Sequence, residues 1–312
     1  MSSTQQQVKH GATIDAGCDA ALDLVAAVEG WPQFDRTAVH AERLRATERG
    51  ELIQHWSLSG DSAVRTWRVL RRVDRAARRI TFEQEEAEPP ATGIRGEWVF
   101  TEVAPNRTEV ELRHYVDAPA DADLGPLLKG ITQDGQGQLD LLREAAERQA
   151  ERDELVLSFA DPLFVAGSVE DAYDYLYRAD LWPERIPHVA ALVLSEEVPN
   201  IQFFDMDTMS SGASARTRSV RICLPPHLIV YKQITPPPLL DAHTGHWRFT
   251  ETPEGVIAEA RHTVTIKRSA LSLLGDGTTV ADARRYLRRL LSANSMSNLR
   301  LAKTFAEERA GV

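Results

Sequence analysis

Between residues 40 and 116 the chain reads as short alternating runs: "HAERLRATE", "ELIQHWSLSG", "SAVRTWRVLRRV", "RITFEQEEA", "GEWVFTEV" and "RTEVELRHYV". Apolar and polar residues trade places with a period of two, as in strands that bury one face. "SGDS" and "APNR" between the runs supply the residues that hairpin turns use. A short strand is predicted near residues 7–14. After it, "CDAALDLVAAVEG" sets Leu22, Val25 and Val28 at helical spacing, and a second small helix is expected at "WPQFDRT" with proline just inside its start. The run "ADADLGPLLKGITQDGQGQLDLLREAAERQAERDEL" predicts one long helix with an aspartate-rich beginning.

This order is written twice. "GEWVFTE" (96–102) returns as "GHWRFTE" (245–251), placing Trp98 and Trp247 149 residues apart. Downstream, "EVELRHYV" (109–116) lines up with "IAEARHTV" (257–264). Upstream, "EGWPQF" (29–34) answers "DLWPER" (180–185), and "VRTW" (64–67) answers "ARTR" (215–218). A self-match in this order marks a duplicated domain. Two domains are expected, residues 1–153 and 154–312. Each is α+β, a bent seven-stranded antiparallel sheet wrapped around its C-terminal long helix. One helix does not fill the concave face of seven strands, so a cavity between them is expected, and such cavities are default ligand sites.

Bulk properties narrow the function. The net charge of −10 argues against nucleic acid as the main partner. Two cysteines, Cys18 and Cys223, make neither a disulfide framework nor a zinc site, and they fall at non-equivalent places in the repeat. The amino terminus lacks the basic and apolar regions of a signal peptide, and no apolar run approaches the roughly 18 residues of a membrane helix. A cytoplasmic protein without membrane association is the expectation. No Walker loop, Rossmann glycine pattern, HExxH or GxSxG occurs, so phosphoryl-transfer, redox and metal chemistry have no support in the sequence.

Period two places Arg65, Trp67, Val69 and Arg71 on one face of the strand at 62–73, and Trp98 with Phe100 on one face of the strand at 96–103. Concave walls of tryptophan and phenylalanine interrupted by guanidinium groups would follow. His114 and His262 occupy equivalent positions with no nucleophile or metal-ligand pattern nearby, and read as repeated structural histidines.

The tandem pattern of "GWP", "TWRVLRRVD" and "GEWVF", with "DLWPERIPHV", "RSVRICLPPHLIVYKQITPPPLL", "GHWRFTE" and "TVADARRYLRRLLSANS" in the second half, resembles the di-domain aromatase/cyclases of bacterial type II polyketide synthases. The resemblance spans nearly the whole chain and implies tandem helix-grip (START/Bet v1-like) domains. It also implies an enzyme that closes the first ring of a poly-β-ketone between carbons seven and twelve and removes water to aromatise it, without a cofactor. The implied substrate is tethered to an acyl carrier protein through phosphopantetheine, with a ketosynthase complex as a further possible partner.

Carried over by position, Arg71 matches the family's pocket arginine and is the implied catalytic residue. Trp67 and Trp98 match pocket tryptophans, and Trp31 and Phe34 the small-helix aromatics. Arg65 joins them from its face of the strand. Two departures stand out: Val69 replaces a serine usual two residues before the arginine, and Thr37 a tyrosine usual after the phenylalanine. In the second half Ile222 falls opposite Arg71, with His188, Arg216, Arg218, Tyr231, Trp247 and Asn294 as candidate substrate-binding residues. "RVLRRVDRAARR" (68–79) and "ARRYLRRLL" (283–291) are candidate docking faces for an acidic carrier protein. A tandem carrier that shields a hydrophobic ligand without chemistry remains the alternative reading.

Overall fold

The computed structural model describes residues 3–48, 50–210 and 213–311. The chain divides into two compact units, Met1–Ala150 and Glu151–Val312. The first begins with strand β1 (Ser3–Ile14), helix α1 (Cys18–Ala26) and a 3-10 helix (Val28–Gln33). Strands β2 (Ala38–Thr47), β3 (Gly50–Ser59), β4 (Ala63–Asp74), β5 (Arg79–Gln84), β6 (Gly93–Ala104) and β7 (Arg107–Pro119) follow, then helix α2 (Gly125–Glu147). All pairings are antiparallel, in the order β1-β7-β6-β5-β4-β3-β2.

The short helix α3 (Gln149–Leu155) leads into the second unit. There β8 (Val156–Val165), α4 (Val169–Tyr177), a 3-10 turn (Ala179–Leu181) and α5 (Trp182–Arg185) repeat the opening. Strands β9 (Val189–Val198), β10 (Ile201–Ser210), β11 (Ala213–Leu224), β12 (Leu228–Thr235), β13 (Leu240–Thr252) and β14 (Gly255–Ile266) repeat the sheet, in the order β8-β14-β13-β12-β11-β10-β9. Helix α6 (Val280–Ala310) closes the unit. Two antiparallel seven-stranded sheets, each with a long C-terminal helix, make the helix-grip fold that the pattern predicts.

The alternation along the strands sets the depth of each side chain. On β14 every second residue, from Val256 through Ala258, Ala260, His262 and Val264 to Ile266, is buried. β7 does the same from Thr108 to Ala118. In the first unit Leu139, Leu142 and Ala146 of α2 pack on Ile14, Trp98, Phe100, Val110 and Leu112 of the sheet. In the second unit Leu299, Ala302 and Ala306 of α6 share a core with Trp247, Phe249, Val256 and Ala258.

Two expectations shift. The first unit's small helix spans Val28–Gln33, so Pro32 stands near its end and not at its start. The predicted long helix is also interrupted. Helix α2 begins after the aspartates, with Asp123 accepting from the Gly125 N–H, and ends at Glu147 before α3 starts. Its "AAERQAERDEL" stretch contains neither glycine nor proline, so no local breaker announces the interruption.

Candidate functional site

In the first unit the predicted aromatics meet where α1, the 3-10 segment, the sheet and α2 converge. Trp31, Phe34 and Trp98 line an apolar slot together with Leu24, Leu141 and Leu142. The slot's free volume is about 20 Å³, room for about one water molecule. Trp31 is oriented by its indole N–H, which donates to the Leu24 carbonyl at 3.0 Å. Trp98 is buried beside Phe100 with the rings near parallel, centroids 6.5 Å apart. Trp67 stands one step further along the wall, stacked on His55 at 5.1 Å, and His55 in turn lies 5.9 Å from Trp31. Burial, then the nearby Arg71 charge, pushes His55 down to about 4, so it lines the wall as a neutral ring at neutral pH.

The face predicted for β4 holds, and the strand dives along it. Arg65 is exposed, ion-paired with Glu88 and 5.2 Å over the Trp67 ring. Trp67 is half-buried, and Val69 and Arg71 are buried. Arg65 is thus a rim residue and not part of the slot.

Arg71 points inward, with four of its five N–H donors engaged. Its Nε donates to Glu51 at 2.9 Å, and one Nη also reaches Glu51. The carbonyls of Val25 (3.2 Å) and Ala26 (2.8 Å), the last residues of α1, accept from the Nη groups. Helix ends leave such carbonyls unpaired and carry partial negative charge. Helix α1 has no basic residue in its own last turn, so the sheet provides the cation. The geometry makes Arg71 the anchor of the slot's α1 wall.

The second unit repeats the device one residue away from where the sequence alignment put it. Arg221 donates to the carbonyls of Leu176 (2.8 Å) and Tyr177 (2.7 Å), the last residues of α4, and through Nε to Gln202 at 3.0 Å. Gln202 lies opposite Arg221 in the sheet as Glu51 lies opposite Arg71. Arg221, and not Ile222, is therefore the counterpart of Arg71. Two residues before it stands buried Ser219, so the serine missing at Val69 is present in the second copy. Fully buried Arg221 lies 5.0 Å over Trp182 and 5.4 Å over Phe204, and burial lowers its pKa. Its uncharged partner Gln202 hands on to the Glu196 carboxylate at 2.7 Å, which also accepts from Tyr177.

The other candidates of the second half separate. Tyr231 and Trp247 are both buried on the inner face, ring centroids 5.0 Å apart. Arg218 lies on the opposite face of β11 from Arg221, paired with Asp205 at 2.7 Å, and exposed Arg216 faces Asp207. Both are removed from the interior by strand parity. His188 is half-buried in the link between α5 and β9, and Asn294 half-buried on α6.

Sequence reasoning passed over His243. It faces Tyr231 and His262 from β13, four residues before Trp247 and hence on the same strand face. That spacing was the available signal. A solvent-open cleft of about 540 Å³ lies in the second unit, lined by Glu170, Asp171, Tyr173, Asp174, Tyr177 and Arg309 among others. Its wall carries three carboxylates, of which Asp171 is paired to Arg309, beside the rings of Tyr173 and Tyr177.

No family model matches the chain. Full-length relatives do. The chain is 37% identical over 312 residues to the granaticin polyketide synthase bifunctional cyclase/dehydratase of Streptomyces violaceoruber, covering 98% of this chain and 96% of that protein. The chain belongs to the polyketide synthase bifunctional cyclase/dehydratase family. Solved structures agree. The di-domain ARO/CYC StfQ from the steffimycin biosynthetic pathway superposes with a TM-score of 0.90 at 54% identity, over 98% of this chain and all of that one. The di-domain ARO/CYC BexL from the BE-7585A pathway gives 0.87 at 35% identity, over 97% and 99%. As a member of this cyclase/dehydratase family the chain is an enzyme of polyketide cyclisation and dehydration, which sets the non-catalytic carrier reading aside.

Proposed function

We propose that this chain folds a poly-β-ketone so that its first ring closes between carbons seven and twelve, and then removes water to aromatise that ring. The substrate is presented on an acyl carrier protein through its phosphopantetheine arm. The observation that carries this reading is the aromatic slot of Trp31, Phe34 and Trp98 inside a helix-grip fold, in a chain whose relatives are named cyclase/dehydratases.

A poly-β-ketone in water samples many aldol pairings. An apolar channel that admits one folded pose selects among them, and holding reacting carbons together is worth up to roughly 7–11 kcal/mol. At about 20 Å³ the slot is closed to such a chain. Entry therefore requires the segment carrying Trp31 and Phe34 to move away from α2. Arg71 acts through position: by gripping the end of α1 it holds the fixed wall against which that segment opens. Excluding water from the closed site suppresses side reactions of the reactive ketone chain.

The arginine-rich segments contribute less to carrier docking than their composition suggests. Arg68, Arg75, Arg78 and Arg79 are ion-paired with Glu85, Asp23, Glu102 and Glu97. Arg285 and Arg288 are taken by Asp282 and Asp161. None of the described helices is long and apolar enough to cross a membrane.

The test is reconstitution. A ketosynthase and carrier protein charged with malonyl units are run with and without the full chain, and products are resolved by mass spectrometry. The expected result is one dominant ring-closed aromatic product with the chain present and a spread of spontaneous products without it. Identical profiles would overturn the reading.

A further inference from the structure

The inner face of the second unit carries a polar chain that the first unit lacks. Tyr231 on β12, His243 on β13 and His262 on β14 are all buried there. The Tyr231 hydroxyl lies 2.8 Å from His262 Nδ1, and His262 Nδ1 lies 3.1 Å from His243 Nε2. His243 Nδ1 is 2.8 Å from the Gln233 side-chain oxygen. At the same register positions the first unit has Phe82 opposite Gly96, His114 opposite Gly96, and Ile94 opposite Val116. A phenylalanine and an isoleucine in one copy are thus a tyrosine and a histidine in the other. Buried polar groups cost stability unless they are satisfied or used.

The Gln233 amide, placed with its oxygen towards His243, assigns the protons along the chain. The Gln233 oxygen only accepts, so His243 donates from Nδ1 and keeps a lone pair on Nε2. That lone pair and the Tyr231 oxygen share His262 Nδ1–H as acceptors, which leaves His262 Nε2 with a free lone pair. His262 Nε2 is buried and has no hydrogen-bond partner among the described residues. The Tyr231 O–H has only long alternatives, the Arg261 carbonyl at 3.5 Å and His243 at 3.4 Å. The indole N–H of Trp247, whose ring neighbours Tyr231, is also buried and unpartnered among the described residues. A base, an acid and a spare donor thus share one interior. Burial pushes His262 down to about 4 against the opposing pull of Asp161, with the Arg288 and His246 charges adding to the drop, so its ring is neutral at neutral pH. Burial also raises Tyr231, which keeps its phenol protonated.

We propose that His262 and Tyr231 are the acid–base pair that removes water from the ring-closed hydroxyketone, in the second unit and not in the first. His262 Nε2 takes the proton from the carbon beside the carbonyl. The carbon–carbon double bond forms as the carbon–oxygen bond breaks, and Tyr231 gives its proton to the departing hydroxyl, which leaves as water. The imidazolium then passes its Nδ1 proton to the adjacent phenolate, and exchange through the released water resets the tautomer. A neutral hydroxyketone becomes a neutral enone plus water, with no oxidant or reductant. His243 and Gln233 are positioning residues that set the tautomer.

This assignment rests on the functional reading above, and its test separates the two. The reconstituted ketosynthase and carrier-protein system is run with the unchanged chain, Tyr231→Phe and His262→Gln, with melting temperature recorded for each. Tyr231→Phe recreates the ring that the first unit already holds at Phe82, so it keeps the fold and decides the matter if His262→Gln unfolds. The expected result is loss of aromatic product by about a hundredfold, with a ring-closed product heavier by one water accumulating and ring position unchanged. Undiminished aromatic product from folded Tyr231→Phe would overturn the assignment, and so would scattered ring positions without the hydrated intermediate. A wild-type chain that leaves the product spread unaltered would instead overturn the functional reading beneath it.

Discussion

Replacing Arg71 by alanine is expected to lower the unfolding free energy of the first unit by about 3–5 kcal/mol, the usual cost of removing one partner from a buried charge pair. The loss has two sources. Glu51, only 17% exposed at its side chain, loses its buried partner and is left with half-exposed Arg43. The carbonyls of Val25 and Ala26 lose the donors that close the end of α1. Denaturant unfolding measures it as a shift of the first unit's transition, with the second unit as reference. The double substitution Arg71→Met with Glu51→Leu is expected to recover part of the loss, because it leaves no charge stranded. A full-strength transition in Arg71→Ala would show that the guanidinium is held by less than its four hydrogen bonds imply.

Gly245→Ala is expected to be of similar severity, about 3 kcal/mol or more, at the upper end of overpacking penalties. A Cβ at Gly245 would collide with the Arg261 carbonyl across the ladder and with the Tyr231 hydroxyl. The carbonyl is backbone paired between β13 and β14 and has nowhere to go. Tyr231 would have to swing away from His262, so dehydration should fall along with stability. Gly96 repeats the arrangement, with the Arg113 carbonyl and the Phe82 ring in the way. Thermal unfolding of Gly245→Ala beside Thr244→Ala, its half-buried neighbour, checks that the effect belongs to the glycine.

These two positions also show what could be read from the sequence. "GEWVFTE" and "GHWRFTE" announce the duplication, and the structure explains why glycine opens each copy: the tip of an aromatic ring from the neighbouring strand occupies the space a Cβ would need. Period two gave the strands and the correct faces of Arg65, Trp67 and Arg71, because parity is a local property. It could not give depth, so exposed Arg65 and buried Arg71 looked alike. The Arg221 counterpart was missed because the 151-residue offset at "ARTR" carries Arg71 onto Ile222, whereas the sheet register pairs Arg221 with Gln202. What the guanidinium binds was illegible altogether. The ends of α1 and α4 lie 45 to 46 and 44 to 45 residues from their arginines, and only the folded sheet brings them together. His243 was legible in principle from its spacing to Trp247, but a lone histidine on an apolar face carries little weight until its neighbours are known.

The central claim is that the interior slot of the first unit, and not the surface cleft, is where the ketone chain is folded. Gln138 lines that slot from α2 and is only half-buried, so tryptophan can be placed there without breaking the core. The deciding measurement is the product profile of Gln138→Trp in the reconstituted synthase, with its melting temperature. The account predicts a folded protein whose products scatter towards those formed without enzyme. A folded Gln138→Trp variant that still delivers the wild-type ring in wild-type yield would contradict it.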